Sequence, residues 1–328
     1  MTMKVEWEKA AAALDAAATI LLVTHIHPDG DAIGSLLGLQ NALRERGKNP
    51  DSVVDGGIPE YLRFMPGADL VRPTLLTGEW DLMISLDASD EERTGVAGVS
   101  GRAHSKVVMN VDHHPTNTMF GDIYLVQPDA VSTTEVVYDW LAHMGHTLSP
   151  DSAVPLLTGL VTDTNGFRTS NVNSRTLQLA QIFMEQGASL REIMARTVGS
   201  TPYTTVELWR TALQTVALEH GIISAVITQE TLKKVNLPEP TDAGLISFLI
   251  STNESRVAVV FKEVADGRIE LSFRSKPGYD VSQVALSLGG GGHKQASGAT
   301  IDGPLEAATA RVMPLLRQVV EQEVLAIS

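Results

Sequence analysis

The sequence predicts an α/β protein, with an N-terminal, doubly wound, mainly parallel sheet and a smaller α+β domain after it. Three observations carry this reading. Apolar, β-branched runs alternate with helical patterns over residues 1–186, as a parallel sheet with crossover helices requires. Beyond residue 220 the pattern changes to two alternating runs around Asp266-Gly267, a strong hairpin signal and so a sign of antiparallel pairing. A length of 328 residues is long for one core and comfortable for two. The expected division is 1–186, a helical connector at 187–220, and 221–328.

Taken in order, residues 5–18 form an Ala-rich helix. Leu21 to Gly34, reading LLVTHIHPDGDAIG, begins as a buried strand and breaks at Pro28 and Gly30. It then enters a helix marked by Ala32, Ile33, Leu36, Leu37, Leu39, Ala42 and Leu43, ending near Gly47. Ser52 to Asp55 is a short strand, and 56–78, rich in Gly and Pro, is irregular with little helix. Trp80 to Leu86 and Lys106 to Val111 are buried strands, and Ile123 to Val126 is a shorter one. Ser132 or Thr133 caps a helix through Val136, Val137, Trp140 and Leu141. Pro150 to Thr162 is a helix with a nearly all-apolar face, and another runs over about 174–186. In the second domain Gly221 to Thr228 is a strand and Asp242 to Ser251 a short helix. Arg256 to Val264 and Arg268 to Ser275 are the hairpin strands. A helix at 280–288, four glycines at 289–292 and a closing helix at about 303–322 follow.

Composition narrows the chemistry. With no cysteine, disulfides and thiolate metal sites are excluded, and His and carboxylates remain as ligands. The net charge of −14, from 25 Lys+Arg against 39 Asp+Glu, argues against a protein that holds long nucleic acid through many phosphates. Aromatic residues are only 5%, too few for a stacking platform along a strand. A small anionic substrate held locally stays allowed. The first residues lack a basic start followed by an apolar core, and no apolar run reaches the roughly 18 residues of a membrane span. The expectation is a cytoplasmic protein off the membrane.

The residues that carry chemistry sit where strands end. His25, His27, Asp29 and Asp31 occupy the loop after the first strand. Read alone, that loop is equally a metal site or an Asx-rich turn in which Asp31 caps the next helix. Asp87 ends one buried strand, and Asp112-His113-His114 ends another. Asp163 follows the apolar helix. In an open α/β sheet the carboxyl ends of the strands converge on one edge. The set His25, Asp29, Asp31, Asp87, His113 and Asp163 then forms one pocket. Four carboxylates held together repel unless cations lie between them, and two divalent ions balance their charge. Paired ions about 3.5–4 Å apart are a standard device for phosphoester hydrolysis. In the second domain GGGGHKQASG brings Gly290, Gly291, Gly292, His293 and Lys294 together, and Arg274 ends the hairpin. Glycines there permit close backbone approach and free N–H groups for an anion; the bland reading is a flexible loop with a solvated arginine nearby.

Five segments, HIHPDGDAIGS, DASDEERTG, VDHHPTN, GLVTDTNGF and GGGGHKQASG, together resemble the DHH/DHHA1 phosphoesterase family, in its nanoRNase/pAp phosphatase branch. The resemblance runs from about residue 20 to 300. It implies a DHH domain, a linker and a DHHA1 domain with the active site in the cleft between them, and two divalent metal ions, most often manganese. By motif, His25, Asp29 and Asp87 bind one ion, and Asp31, Asp87, His113 and Asp163 the other. Asp87 and His114 are implied as catalytic, with His114 against the scissile phosphate; His27 takes no ligand role. Arg274, Gly290, Gly291, Gly292, His293 and Lys294 hold the far end of the substrate. The implied activity is hydrolysis of very short RNA oligonucleotides to mononucleotides and of pAp to AMP and phosphate, by a homodimer. Family II pyrophosphatases lack the GGGGH element, RecJ-type exonucleases carry a further oligonucleotide-binding domain, and the membrane-bound cyclic dinucleotide phosphodiesterases carry N-terminal spans. Linear or cyclic dinucleotides (pApA, c-di-AMP) remain alternative substrates, and a non-catalytic nucleotide sensor is the alternative outside enzymes. Phe167 and Tyr279 are candidates to stack on a base, with core packing as their plain reading.

Overall fold

The computed structural model describes residues 5–237 and 240–327, with side chains up to 321. The chain divides into two compact units, 1–200 and 201–328. The division falls inside the segment expected as a connector. The helix Leu190–Arg196 packs on the core of the first unit through Ile193, whereas Tyr203–Ala212 packs on the second through Leu208 and Ala212. Residues 187–220 are also not helical throughout, since Ala217–Glu219 is an edge strand. Among the described residues no helix is long and apolar enough to cross a membrane.

The first unit runs α1 (Trp7–Ala16), β1 (Ile20–Thr24), α2 (Gly30–Glu45), β2 (Asp51–Val53), β3 (Trp80–Leu86), α3 (Gly95–Ala103), β4 (Ser105–Asp112), β5 (Ile123–Val126), α4 (Thr133–His143), α5 (Pro150–Asp163), α6 (Ser174–Glu185) and α7 (Leu190–Arg196). All five strands are parallel, in the order β2-β1-β3-β4-β5. Alternation sorts their side chains. Leu22, Ile84 and Met109 share one core with α1, α2, α4 and α5, whereas Leu21, Val23, Met83 and Val108 face a smaller cluster on the other side of the sheet. That smaller cluster is covered by α3, a helix the sequence pattern does not announce. Its segment GVAGVSGRA is Gly-rich and has low helical propensity. Packing supplies what propensity lacks: Gly101 lies so near Leu21 that a Cβ there would meet its Cδ2 at 2.4 Å. Residues 56–78 contain only two short 3₁₀ turns, Glu60–Leu62 and Ala68–Leu70.

The second unit contains α8 (Tyr203–Ala212), β6 (Ala217–Glu219), β7 (Ile222–Ile227), α9 (Gln229–Lys234), α10 (Leu245–Ile250), β8 (Val257–Glu263), β9 (Arg268–Ser275), α11 (Ser282–Ser287), β10 (Gly291–His293), β11 (Ala296–Asp302) and α12 (Leu305–Ile327). They form one sheet, β10-β11-β9-β8-β7-β6, with α11 and α12 against one face and α8, α9 and α10 against the other. The hairpin at Asp266-Gly267 joins antiparallel β8 and β9. Pairing is not antiparallel throughout: β7 and β8 are parallel, because the chain crosses back through α9 and α10 before β8.

Candidate active site

The strand order of the first unit reverses between β1 and β3, and crevices for ligands open at such switch points, beyond the carboxyl ends of the strands. The chain places its candidate residues there. His25 follows β1, Asp87 follows β3, and Asp112 ends β4 with His113 and His114 behind it. Two helices supply the rest: Asp29 and Asp31 at the start of α2, and Asp163 as the last residue of α5. The cap of α2 is Asp29, whose Oδ1 accepts from the N–H groups of Asp31 and Ala32; Asp31 is thereby released to face inward.

Three triads result, each with its ligand atoms within 4.8 Å of one another: His25, Asp29 and Asp87; Asp31, His113 and Asp163; and Asp87, His113 and His114. His25 Nε2 lies 3.5 Å from Asp87 Oδ2. His113 Nε2 lies 3.6 Å from Asp163 Oδ2 and 3.9 Å from both Asp31 Oδ2 and Asp87 Oδ1. The histidine tautomers follow from their other nitrogens. His25 Nδ1 faces the carbonyl of Ile26 at 2.8 Å, and His113 Nδ1 that of Ala130 at 3.3 Å. A carbonyl only accepts, so each Nδ1 carries a proton and each Nε2 faces the carboxylates, where the neutral form of the ring offers its lone pair. This is the backing that metal-ligating histidines have.

The electrostatics agree. Burial raises Asp31 to about 7, and the charge of Asp163 adds to it. Burial and the neighbouring Asp31 push Asp87 well above the ordinary carboxylate range, and burial raises Asp163. Without cations the cluster therefore retains protons. Oxygen and imidazole donors around a buried excess of negative charge fit divalent metal, with Asp87 and His113 shared between triads.

His114 is set apart. Its Nδ1 donates to Asp112 Oδ1 at 2.7 Å, and that hydrogen bond raises its pKa to about 9. Asp112 is wholly buried and also accepts from the His113 N–H and from Asn117 Nδ2. The sequence pattern marks Asp112 at the end of its strand without giving it a role, and it does not single out Asn117, although both belong to the VDHHPTN segment. Thr133 was visible only as a possible helix cap. Ser132 is the cap, accepting from Glu135 N–H at 3.2 Å, and Thr133 contacts Asp87 instead.

The second unit carries the remaining candidates. β10, β11 and β9 put His293, Ala296 and Arg274 in one row. Directly opposed residues share a sheet face, so a small alanine separates two nitrogen-bearing side chains. Gly291 and Gly292 lie in β10 rather than in a loop, with Gly290 just before it and Lys294 exposed in the turn to β11. Gly292 has a packing reason: φ is +129°, and a Cβ there would stand 2.6 Å from the Ala296 carbonyl. Phe167 and Tyr279 both pack against hydrophobic cores.

A sequence model of the DHH family, N-terminal domain, matches residues 19–160, and one of the DHHA1 domain matches residues 232–324. The bifunctional oligoribonuclease and PAP phosphatase NrnA of Thermus thermophilus is 34% identical over 91% of this chain and 89% of its own. The chain belongs to the DHH family. The Bacillus subtilis protein of the same name is 31% identical over 86% of this chain and 89% of its own. A crystal structure of an exopolyphosphatase-related protein from Bacteroides fragilis superposes with a TM-score of 0.83 at 24% identity, covering 98% of this chain and 97% of that one, and so shares the fold. As a DHH-family phosphoesterase the chain is a hydrolase, and enzymes of this family depend on metal.

Proposed function

We propose that this DHH-family enzyme hydrolyses very short oligoribonucleotides to mononucleotides and pAp to AMP and phosphate, with two manganese ions. The observation that carries the proposal is similarity along nearly the full length, in both directions, to proteins named for both activities. In this reading His25, Asp29 and Asp87 hold one ion, and Asp31, Asp87, His113 and Asp163 the other; the triads and the free Nε2 atoms support the assignment. When bound, the ions supply positive charge to phosphate oxygens and lower the pKa of water. His114 is the group free for proton work. Asp112 occupies its Nδ1, leaving Nε2 to contact the phosphoryl group or to give a proton to the leaving oxygen.

Arg274 and His293 are assigned to an anionic group of the substrate, with Gly290, Gly291, Gly292 and Lys294 around them. Their shared row on the second sheet supports this. The acidity of the chain fits a substrate with few phosphates. A cytoplasmic homodimer is the form the family resemblance supports, and sedimentation tests the assembly.

The deciding experiment is a product assay. Purified protein with Mn²⁺ is given pAp, pApA, a cyclic dinucleotide and a long RNA separately, with EDTA controls. AMP from pAp and pApA, with the long RNA barely shortened, supports the proposal. Preference for the cyclic compound selects the dinucleotide reading. Tight pAp binding without a metal-dependent product selects the sensor.

A further inference from the structure

Thr133 is the first residue of α4 and is wholly buried. Because Ser132 caps the helix, the Thr133 hydroxyl is free for other work, and it donates to Asp87 Oδ1 at 2.7 Å. The backbone N–H of the same residue donates to Asp31 Oδ2 at 2.6 Å, and the N–H of Thr134 donates to Asp31 Oδ1 at 3.1 Å. One residue thus touches a carboxylate from each of two triads, reaching across 46 residues of chain to Asp87 and 102 to Asp31. Asp87 needs such a partner. Its backbone is fixed, with φ at +59° and its N–H on the Val111 carbonyl, but a carboxylate still rotates about its last bond. Among the described residues the Thr133 hydroxyl is the one hydrogen-bond donor within 3 Å of that carboxylate.

We infer that Thr133 is a positioning residue for the metal centre: its hydroxyl fixes the rotation of the Asp87 carboxylate, and its N–H holds Asp31. Oδ1 of Asp87 is thereby kept on the His113 side, at 3.9 Å from Nε2, and Oδ2 on the His25 side, at 3.5 Å. Sharing one carboxylate between two ions requires that each oxygen keep its side. The α4 N-terminus contributes as well, since its first N–H groups, which have no acceptor within the helix, donate to the Asp31 carboxylate, and its positive end favours a negative charge there. The inference rests on the reading of this cluster as a two-metal centre.

The test compares Thr133→Val, which keeps the shape and the backbone N–H but loses the hydroxyl, with Thr133→Ser, which restores the hydroxyl. Full-length protein is titrated with Mn²⁺ by calorimetry, and the loaded forms are compared by electron paramagnetic resonance for the signal of a coupled ion pair. Loss of an outer partner of a metal ligand costs roughly 10–100-fold in affinity. Thr133→Val is expected to weaken Mn²⁺ binding by that factor and to lose the coupled signal, with Thr133→Ser close to the native protein. Thr133→Ala makes the same comparison if the valine variant does not fold, as judged by melting in EDTA. Native affinity and coupling in Thr133→Val, with binding lost in Asp87→Asn, overturn the role of Thr133 alone. Binding unchanged in both overturns the metal centre itself.

Discussion

Gly34 and Gly159 touch backbone to backbone: a Cβ on Gly34 would stand 2.9 Å from the nitrogen of Gly159 and 2.6 Å from the carbonyl of Pro155. This is where α2 crosses α5, and Asp31 and Asp163 ride on those two helices to the same His113. Gly34→Ala puts a methyl against main chain that cannot turn aside. The expected cost is about 1–3 kcal/mol, the range for an overpacked core. Because the helices must part, Mn²⁺ binding should weaken too. Denaturant melts in EDTA and a metal titration read the two effects separately; native values in both would mean that the helices have room to spare.

Removing metal should destabilise the first unit, and the effect should grow with pH. Burial raises Asp31 to about 7, and raises Asp87 and Asp163 as well. An acid whose pKa is raised by folding binds its proton more tightly when folded, so the chelated protein loses stability as pH climbs from the ordinary carboxylate range through about 7. His113, where burial is outweighed by Asp31 and Asp163, and His114 at about 9 are also raised above 6.5, so their contribution fades as pH passes through their folded values. Every sign is the same. Bound metal replaces the protons held by Asp31, Asp87, Asp163 and His113 and binds better as they leave. The gap in Tm between Mn²⁺-loaded and EDTA-treated protein should therefore widen from pH 6 to pH 8.5. A gap that is absent or narrows would contradict the clustered site.

His114→Ala should lower kcat by about 10²–10⁴-fold, the usual contribution of a positioned acid or base, while Mn²⁺ affinity falls much less. Asp87→Ala should lose both turnover and metal. Near-normal turnover in His114→Ala would remove that residue from the chemistry. Asp112→Asn sharpens the comparison, since an amide in place of the carboxylate no longer guarantees an acceptor at His114 Nδ1.

Arg274→Ala should raise KM for pAp with a smaller change in kcat, because the row it shares with His293 is assigned to holding the substrate. His293→Ala should act in the same direction. An effect of both on kcat alone would place them in the chemistry instead.

Much of this was legible from residue order. The β1, β3, β4 and β5 segments are apolar runs bounded by breakers, and acidic or His residues stand at the ends of β1, β3 and β4. The α3 helix was not legible, because its glycines at 95, 98 and 101 remove the helical pattern and it is specified by the sheet face it covers. Strand β11 was hidden in the same way. Ser297, Ala299 and Ile301 point to the buried side, but Ala, Ser and Gly residues give weak alternation, and pairing with β9 decides the strand.

The sequence by itself brought out the His and Asp residues proposed to carry the chemistry and determined that the first sheet is parallel, because both are written as local patterns of charge and hydrophobicity. Only the tertiary structure decided how they meet. The order β2-β1-β3-β4-β5 sets the switch point beside His25 and Asp87, the glycine contact of α2 with α5 brings Asp31 and Asp163 to one histidine, and Thr133 reaches two aspartates distant in sequence. Such contacts depend on which elements pack side by side, and the spacing of residues along one chain does not encode that.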